Sequence, residues 1–398
     1  MIDNTPRDDM ELGDLEDDAF LPGQNGAPRK RQSDSIFIRW FPPRLRAFVE
    51  NLSRMKISQD SLSMSKELAK ELSNTEMPDY VLTYGLDTFA LSQKLRAHIH
   101  IAPLVFLDRG DPYFPSDMAT HISHTHPTRG WENVTDAPSK LTLDNLNDLN
   151  DLGGEDIYLT STIDLITLPS YLVGQKPDPK TLQTAGAISC VIIVIDKGSG
   201  IIDAFFMYFY TYNKGPAALG HEVGNHLGDW EHNMVRFKDG EPQAVWYSQH
   251  EYGEAYAYSA VQKIGKRPVA FSARGSHANY ATASNHDLHE YNKDVPAHIV
   301  FDRTSQGPLW DPTLSANYYT YSLSSQNFTP ALQGTPVNYL YFLGKWGDDD
   351  RPDDMEGQEN FHGFKKWTGG PRGPIDKHLD REDVCLPKRE MCEIKTRL

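Results

Sequence analysis

Two apolar runs decide the fold, AISCVIIVID (187–196) and IIDAFFMYFYTYN (201–213), separated by Lys197, Gly198, Ser199 and Gly200. Both are rich in Val, Ile, Phe and Tyr and are bounded by turn residues, which is the composition of buried strands. In the second run Tyr208, Tyr210 and Tyr212 alternate with Met207 and Phe209, so the two sets face opposite sides of a sheet. Such a stripe reads as core rather than pocket. Working outward, the same texture of short runs between Gly, Pro, Asn and Asp begins near Tyr80. It includes HIHIAPLVFL (98–107), IYLTSTIDLITL (157–168), HNMVRF (232–237), QAVWYSQH (243–250), KRPVAFSA (266–273) and NYLYFLGKW (338–346). The expectation is a mainly β chain: one β-sandwich, jelly-roll-like, with a few short helices and irregular loops, over residues 76–350. LTLDNLNDLNDLGG (141–154) reads as a short helix or rim loop, and no repeat of solenoid or propeller period is present.

The flanks differ in kind. Eight acidic residues crowd the first 18 positions against Arg7 alone and supply about half of the net charge of −16. A run like that repels itself and buries nothing, so residues 1–75 are expected to hold a disordered acidic tail, then a basic and aromatic segment, then a helical one. The basic and aromatic segment, residues 36–52, carries Phe37, Trp40 and Phe41 among Arg39, Arg44 and Arg46, a content suited to peripheral membrane contact, although Pro42 and Pro43 break any helix there. SKELAKEL (65–72) has helical spacing. Residues 351–398, charged and rich in Gly and Pro, are expected as a surface tail. The acidic balance argues against a nucleic-acid partner, which needs clustered Lys and Arg. No signal-peptide-like or membrane-spanning run is present, so the expectation is a cytoplasmic chain. Three cysteines are too few for a disulfide scaffold; Cys385 and Cys392 lie near enough to pair, and Cys190 reads as a buried thiol. Asn51, Asn133 and Asn327 stand in Asn-x-Ser/Thr sequons, read as chance matches for want of a secretion signal.

Chemistry concentrates between residues 220 and 298, where eight of the fifteen histidines fall: His221, His226, His232, His250, His277, His286, His289 and His298. Within GHEVGNHLGDWEHNMVRF (220–237), Asp229 and Glu231 are two apart on a strand and share a face. His226 lies three residues earlier. One imidazole and two carboxylates suit Mg²⁺, Mn²⁺, Ca²⁺ or Zn²⁺, so His226, Asp229 and Glu231 are the candidate metal ligands. The competing reading is a hydrogen-bonded network, with Glu231 paired to Arg236 or Arg274. His226, Glu231, His250 and His277 are the candidate catalytic groups, His250 and His277 each closing a strand; whether His277 reaches the same end of the sheet as His226 stays open. No nucleophile elbow, zinc signature or nucleotide-binding loop appears, so no nucleotide cofactor is expected.

Taken together, APLVFLDRGDPYFPSD (102–117), DAFFMYFYTYN (203–213), GNHLGDWEHNMVRF (224–237), WYSQH (246–250), RPVAFSARGSHANYA (267–281), LWDP (309–312) and FLGKWGD (342–348) resemble the Vps62 family and a related plant domain of unknown function. The resemblance implies a factor associated with vacuolar protein sorting or membrane trafficking, with association with the vacuole among its implications and a protein or small-molecule partner left open. NHLGDWE (225–231) is also similar to the heptapeptide of the necrosis- and ethylene-inducing toxins. That likeness implies a β-sandwich and a divalent cation on His226, Asp229 and Glu231, with Gly228 standing where the toxins have a second histidine. The alternative function is a metal-assisted or acid–base enzyme acting on a small molecule of specialised metabolism.

Overall fold

The structure, a computed structural model, describes residues 101–290, 297–387 and 392–398. The acidic run, the basic and aromatic segment 36–52 and the helical segment 65–72 lie outside the described residues.

The two runs that opened the reading are neighbouring strands, β2 (Cys190–Gly198) and β3 (Ile201–Asn213), at the centre of an eight-stranded sheet. Three more follow in an antiparallel meander: β4 (His226–Lys238), β5 (Glu241–Gln249) and β6 (Tyr252–Ala257). Asp239 and Gly240 form the β4–β5 hairpin with positive φ at both positions, the backbone that a right-twisted two-residue turn requires. On the far side of β2 the sheet is completed by β13 (Ala316–Ser322) and β14 (Asn327–Pro330), and beyond β6 by β15 (Ile394–Lys395).

A smaller sheet joins β1 (Leu104–Leu107), β7 (Lys263–Ile264), β8 (Arg267–Ser272), β9 (Asn279–Tyr280) and β12 (Leu309–Trp310). A separate hairpin of β10 (Asn285–Asp287) and β11 (Phe301–Arg303) lies outside both sheets.

Both faces of the large sheet are buried, which explains runs that are apolar throughout rather than alternating. One face packs Ile192, Val194, Tyr208, Val235 and Tyr247 against Val105, Ala270 and Trp310 of the smaller sheet. The other packs Ile193, Phe205, Met207, Phe209, Trp230 and Trp246 under irregular chain that includes Leu146, Leu340, Phe342 and Trp346. The tyrosine stripe is therefore core. The fold is mainly β and sandwich-like, as expected.

Three segments depart from the sequence reading. NYLYFLGKW is not a strand: Asn338–Tyr341 forms a 3-10 turn, and its apolar side chains seal the second face. In IYLTSTIDLITL only Tyr158–Ser161 is strand. The C-terminal segment also does more than run over the surface. Leu379, Val384 and Cys385 enter the core, Cys385 is disulfide-bonded to Cys392, and Arg381 is 2% exposed. The Arg381 guanidinium lies 4.9 Å from the centre of the Phe205 ring and donates to the Lys377 carbonyl and to His232 Nε2. A run of charges hides such a segment from a compositional reading, because one arginine with a full set of acceptors can be buried.

Candidate functional site

Strand β4 carries the site, and its alternation sorts the side chains. Trp230 and His232 point into the second core, where Trp230 meets Trp346 edge-on at 5.1 Å. Asp229 and Glu231 point the other way, opposite Tyr210 and Tyr208 of β3. The two carboxylates are 5% and 3% exposed, so neither has the hydration an ionised group needs.

Each finds hydrogen-bond donors. Asp229 Oδ2 lies 2.9 Å from Nδ1 of His277, which sits in the turn between β8 and β9 with φ +57°. Glu231 accepts the His250 backbone N–H at 3.0 Å and the Ser248 hydroxyl. Burial raises the pKa of Asp229, against the opposing charges of His226, Lys377 and His250. Burial, then the neighbouring Asp229, raises that of Glu231. Two carboxylates on one face of one strand thus compete for a proton.

Two histidine–aspartate pairs flank them. His277 is fully buried, stacked on Tyr210 at 3.7 Å, with its Nε2 3.6 Å from Asp111. Burial lowers its pKa. His250, also at φ +57°, lies at the rim with 36% of its side chain exposed, and its Nε2 is 3.0 Å from Asp302 of β11. Burial opposes its charge, but Asp302, aided by Glu231 and Asp229, raises its pKa to about 9. Asp302 is itself fixed by the hydroxyls of Ser276 (2.6 Å) and Tyr280 (2.8 Å). Left-handed backbone at two non-glycine residues stores strain of a kind that gathers at functional sites.

Above the carboxylates opens a cavity of about 640 Å³, lined by His226, Asp229, Glu231 and His250 together with Lys345, Arg372 and Lys377 and the acidic Asp349, Asp350 and Asp376. His226, His250 and Tyr252 also border a second hollow of about 590 Å³, lined by Val223, Leu288, Val300 and Phe364. Of the sequence candidates, His226, Glu231 and His250 line the first cavity with Asp229; His277 does not, but supports Asp229 from beneath.

The geometry does not support the expected cation. Among the described residues, no three His, Cys, Asp or Glu side chains are grouped so as to hold a metal ion. His226 gives its Nδ1 to the Gly228 carbonyl at 2.7 Å, Asp229 is taken by His277, and Glu231 by Ser248 and His250. Asp229 and Glu231 are thus held by protein donors, while the Nδ1 bond of His226 is compatible with either role, since a metal-bound imidazole donates its other nitrogen to a carbonyl in the same way. Gly228, at φ +69°, has no room for a side chain, since a Cβ there would lie 2.2 Å from the Trp346 carbonyl oxygen. The pairing of Glu231 with Arg236 or Arg274 is also absent: Arg236 binds Asp203 at 2.7 Å. Ser248 has no histidine base, as its hydroxyl is given to Glu231. Asp111, Asp302, Lys377 and Arg372 were missed by the sequence reading, since each lies far along the chain from the strand it serves.

Comparison with known proteins places this geometry in a family. The family described as vacuolar protein sorting-associated protein 62 matches residues 198–293, from the last residue of β2 past β10. Over 322 residues the chain is 36% identical to TDA6 of Saccharomyces cerevisiae, named for an inferred association with vacuolar protein sorting, covering 72% of this chain and 67% of that protein. The chain belongs to the Vps62 family. It is 35% identical over 323 residues to vacuolar protein sorting-associated protein 62 of the same yeast, covering 71% of this chain and 66% of that one. The match spans about two thirds of each relative's length. Among solved structures, the non-toxic HaNLP3 protein aligns over 47% of this chain and 68% of its own at 13% identity and a TM-score of 0.24. Necrosis and Ethylene inducing Protein 2 aligns over 47% and 67%, also at 13% and 0.24. These belong to the toxin class that NHLGDWE resembles, but at such scores they carry no argument about the site.

Proposed function

We propose that this Vps62-family protein acts in vacuolar protein sorting by binding, and that the cavity over Asp229 and Glu231 is its ligand site. One observation carries the reading: two buried carboxylates form the floor of an open cavity instead of being sealed in the core. Their donors come from two separate segments, residues 248–250 and the turn that carries His277, so the floor is held rigid. A ligand with hydrogen-bond donors or positive charge suits the floor, and Lys345, Arg372 and Lys377 in the lining suit an anionic part of the same molecule. The sorting role is supported by the names of the two yeast relatives.

The test is complementation. In yeast lacking both relatives, secretion of a vacuolar hydrolase is measured with the wild-type chain, Asp229→Asn or Glu231→Gln. The wild type lowers secretion and the variants, equally abundant and folded, do not; rescue by the variants removes the cavity from the function.

Acid–base catalysis on a small molecule is a second reading, favoured by the raised pKa of both carboxylates, since a general acid works best near ambient pH. A metabolite consumed by the wild type but not by Glu231→Gln decides for it. No such metabolite decides for binding.

A further inference from the structure

Two features at opposite ends of the described chain point to the same compartment. Of the three sequons, Asn133 and Asn327 lie within the described residues, and both are exposed at sheet margins. Asn133 is in the two-residue strand Glu132–Asn133, the outer member of a small three-stranded sheet. Asn327 opens β14, the outermost strand of the eight-stranded sheet, just after the turn residue Gln326 at φ +55°. Thr135 and Thr329, which complete the sequons, are exposed as well, and neither asparagine side chain has a hydrogen-bond partner among the described residues. A bulky polar group at either amide would project into solvent without displacing any packed side chain. Independently, Cys385 and Cys392 are joined as a disulfide that begins four residues after the buried Arg381. Such bonds form and persist where the surroundings are oxidising, and are rare in cytosolic proteins.

We propose that Asn133 and Asn327 are N-glycosylation sites, and that this domain matures in an oxidising, glycosylating lumen rather than in the cytosol. The glycan donor is a lipid-diphosphate-linked oligosaccharide. The asparagine amide nitrogen attacks the anomeric carbon, a C–N bond forms as the C–O bond to the diphosphate breaks, and the nitrogen loses a proton while the lipid diphosphate leaves. In the same compartment the Cys385 and Cys392 thiols give up two protons and two electrons to a disulfide of the surrounding pool, which is reduced to two thiols. Neither asparagine lines the Asp229–Glu231 cavity. On this proposal the two sequons are used, in place of the chance reading, and the domain faces a lumen in place of the cytoplasm.

The test expresses the full chain in yeast and compares its gel mobility before and after an enzyme that removes N-linked glycans. The wild type is expected to shift by two discrete steps. Asn133→Gln and Asn327→Gln each lose one step, and the double variant loses both. Thr135→Ala and Thr329→Ala repeat the losses while keeping the asparagines, which guards against a folding defect in either Gln variant. Alkylation of the unreduced protein is expected to leave Cys385 and Cys392 unmodified. A wild-type chain whose mobility does not change overturns the glycosylation sites, and labelling of both cysteines overturns the lumenal assignment.

Discussion

The two histidine–aspartate pairs of the site are the same chemical couple and behave oppositely. His277 and Asp229 are 2.9 Å apart, His250 and Asp302 3.0 Å, and both histidines are held at φ +57°. Yet His277 is driven towards its neutral form and His250 towards its charged one. The difference lies in the surroundings. His277 is sealed against Tyr210, and its carboxylate partner is itself pushed towards the protonated form. His250 has solvent on one side, and Asp302 has its pKa lowered by His250 and by the Ser276 and Tyr280 hydroxyls, so it stays ionised and supports the imidazolium. A short distance therefore does not define an ion pair; burial and the partner's own hydrogen bonds decide which proton goes where.

The largest expected effect breaks the comparison by deletion. His277→Leu leaves Asp229 buried without its donor and should cost about 3 kcal/mol in urea unfolding. His250→Ala should cost about 1 kcal/mol, because Asp302 keeps two hydroxyl donors and the lost pair is partly solvated. Equal losses would mean that the two pairs are alike after all. Next, Asp302→Asn removes the charge that sustains the imidazolium, and the His250 titration, followed by proton NMR, should fall from about 9 towards the ordinary histidine range. A titration that stays near 9 would move the cause to Glu231 and Asp229.

A smaller effect concerns pH. The folded pKa of Glu231 lies above its unfolded value, so the folded state keeps a proton that the unfolded state releases. Stability is therefore lost as pH rises from the ordinary carboxylate range through the folded value. Glu231→Gln should flatten the fall in melting temperature between about pH 5 and pH 8. An unchanged slope would show Glu231 to be ionised throughout.

Much of the architecture was legible because it depends on short-range pattern. The apolar runs 187–196 and 201–213 gave two central strands, and their lack of polar alternation followed from a sheet buried on both faces. The i, i+2 spacing of Asp229 and Glu231 placed them on one face, and the turn after PVAFSA placed His277 at a strand end. What spacing does not contain is the partner. Asp302 is 52 residues from His250 and Asp111 is 164 from the Gly275 N–H it accepts. Nothing local marks either as buried. The cation expectation met the same limit: the heptapeptide said nothing of the Ser248 hydroxyl or the His277 ring, which hold Glu231 and Asp229. Arg381 was hidden by its own charge, since its acceptors are carbonyls that no sequence pattern shows.

The central claim is that Asp229 and Glu231 form a proton-sharing pair at the floor of the binding cavity. Carbon-13 NMR of their carboxyl groups across the pH range, in protein purified without chelator, tests this most directly. The account predicts that the pair takes up its first proton well above the ordinary carboxylate range. Both groups ionised down to acidic pH, as a bound cation would hold them, would contradict it.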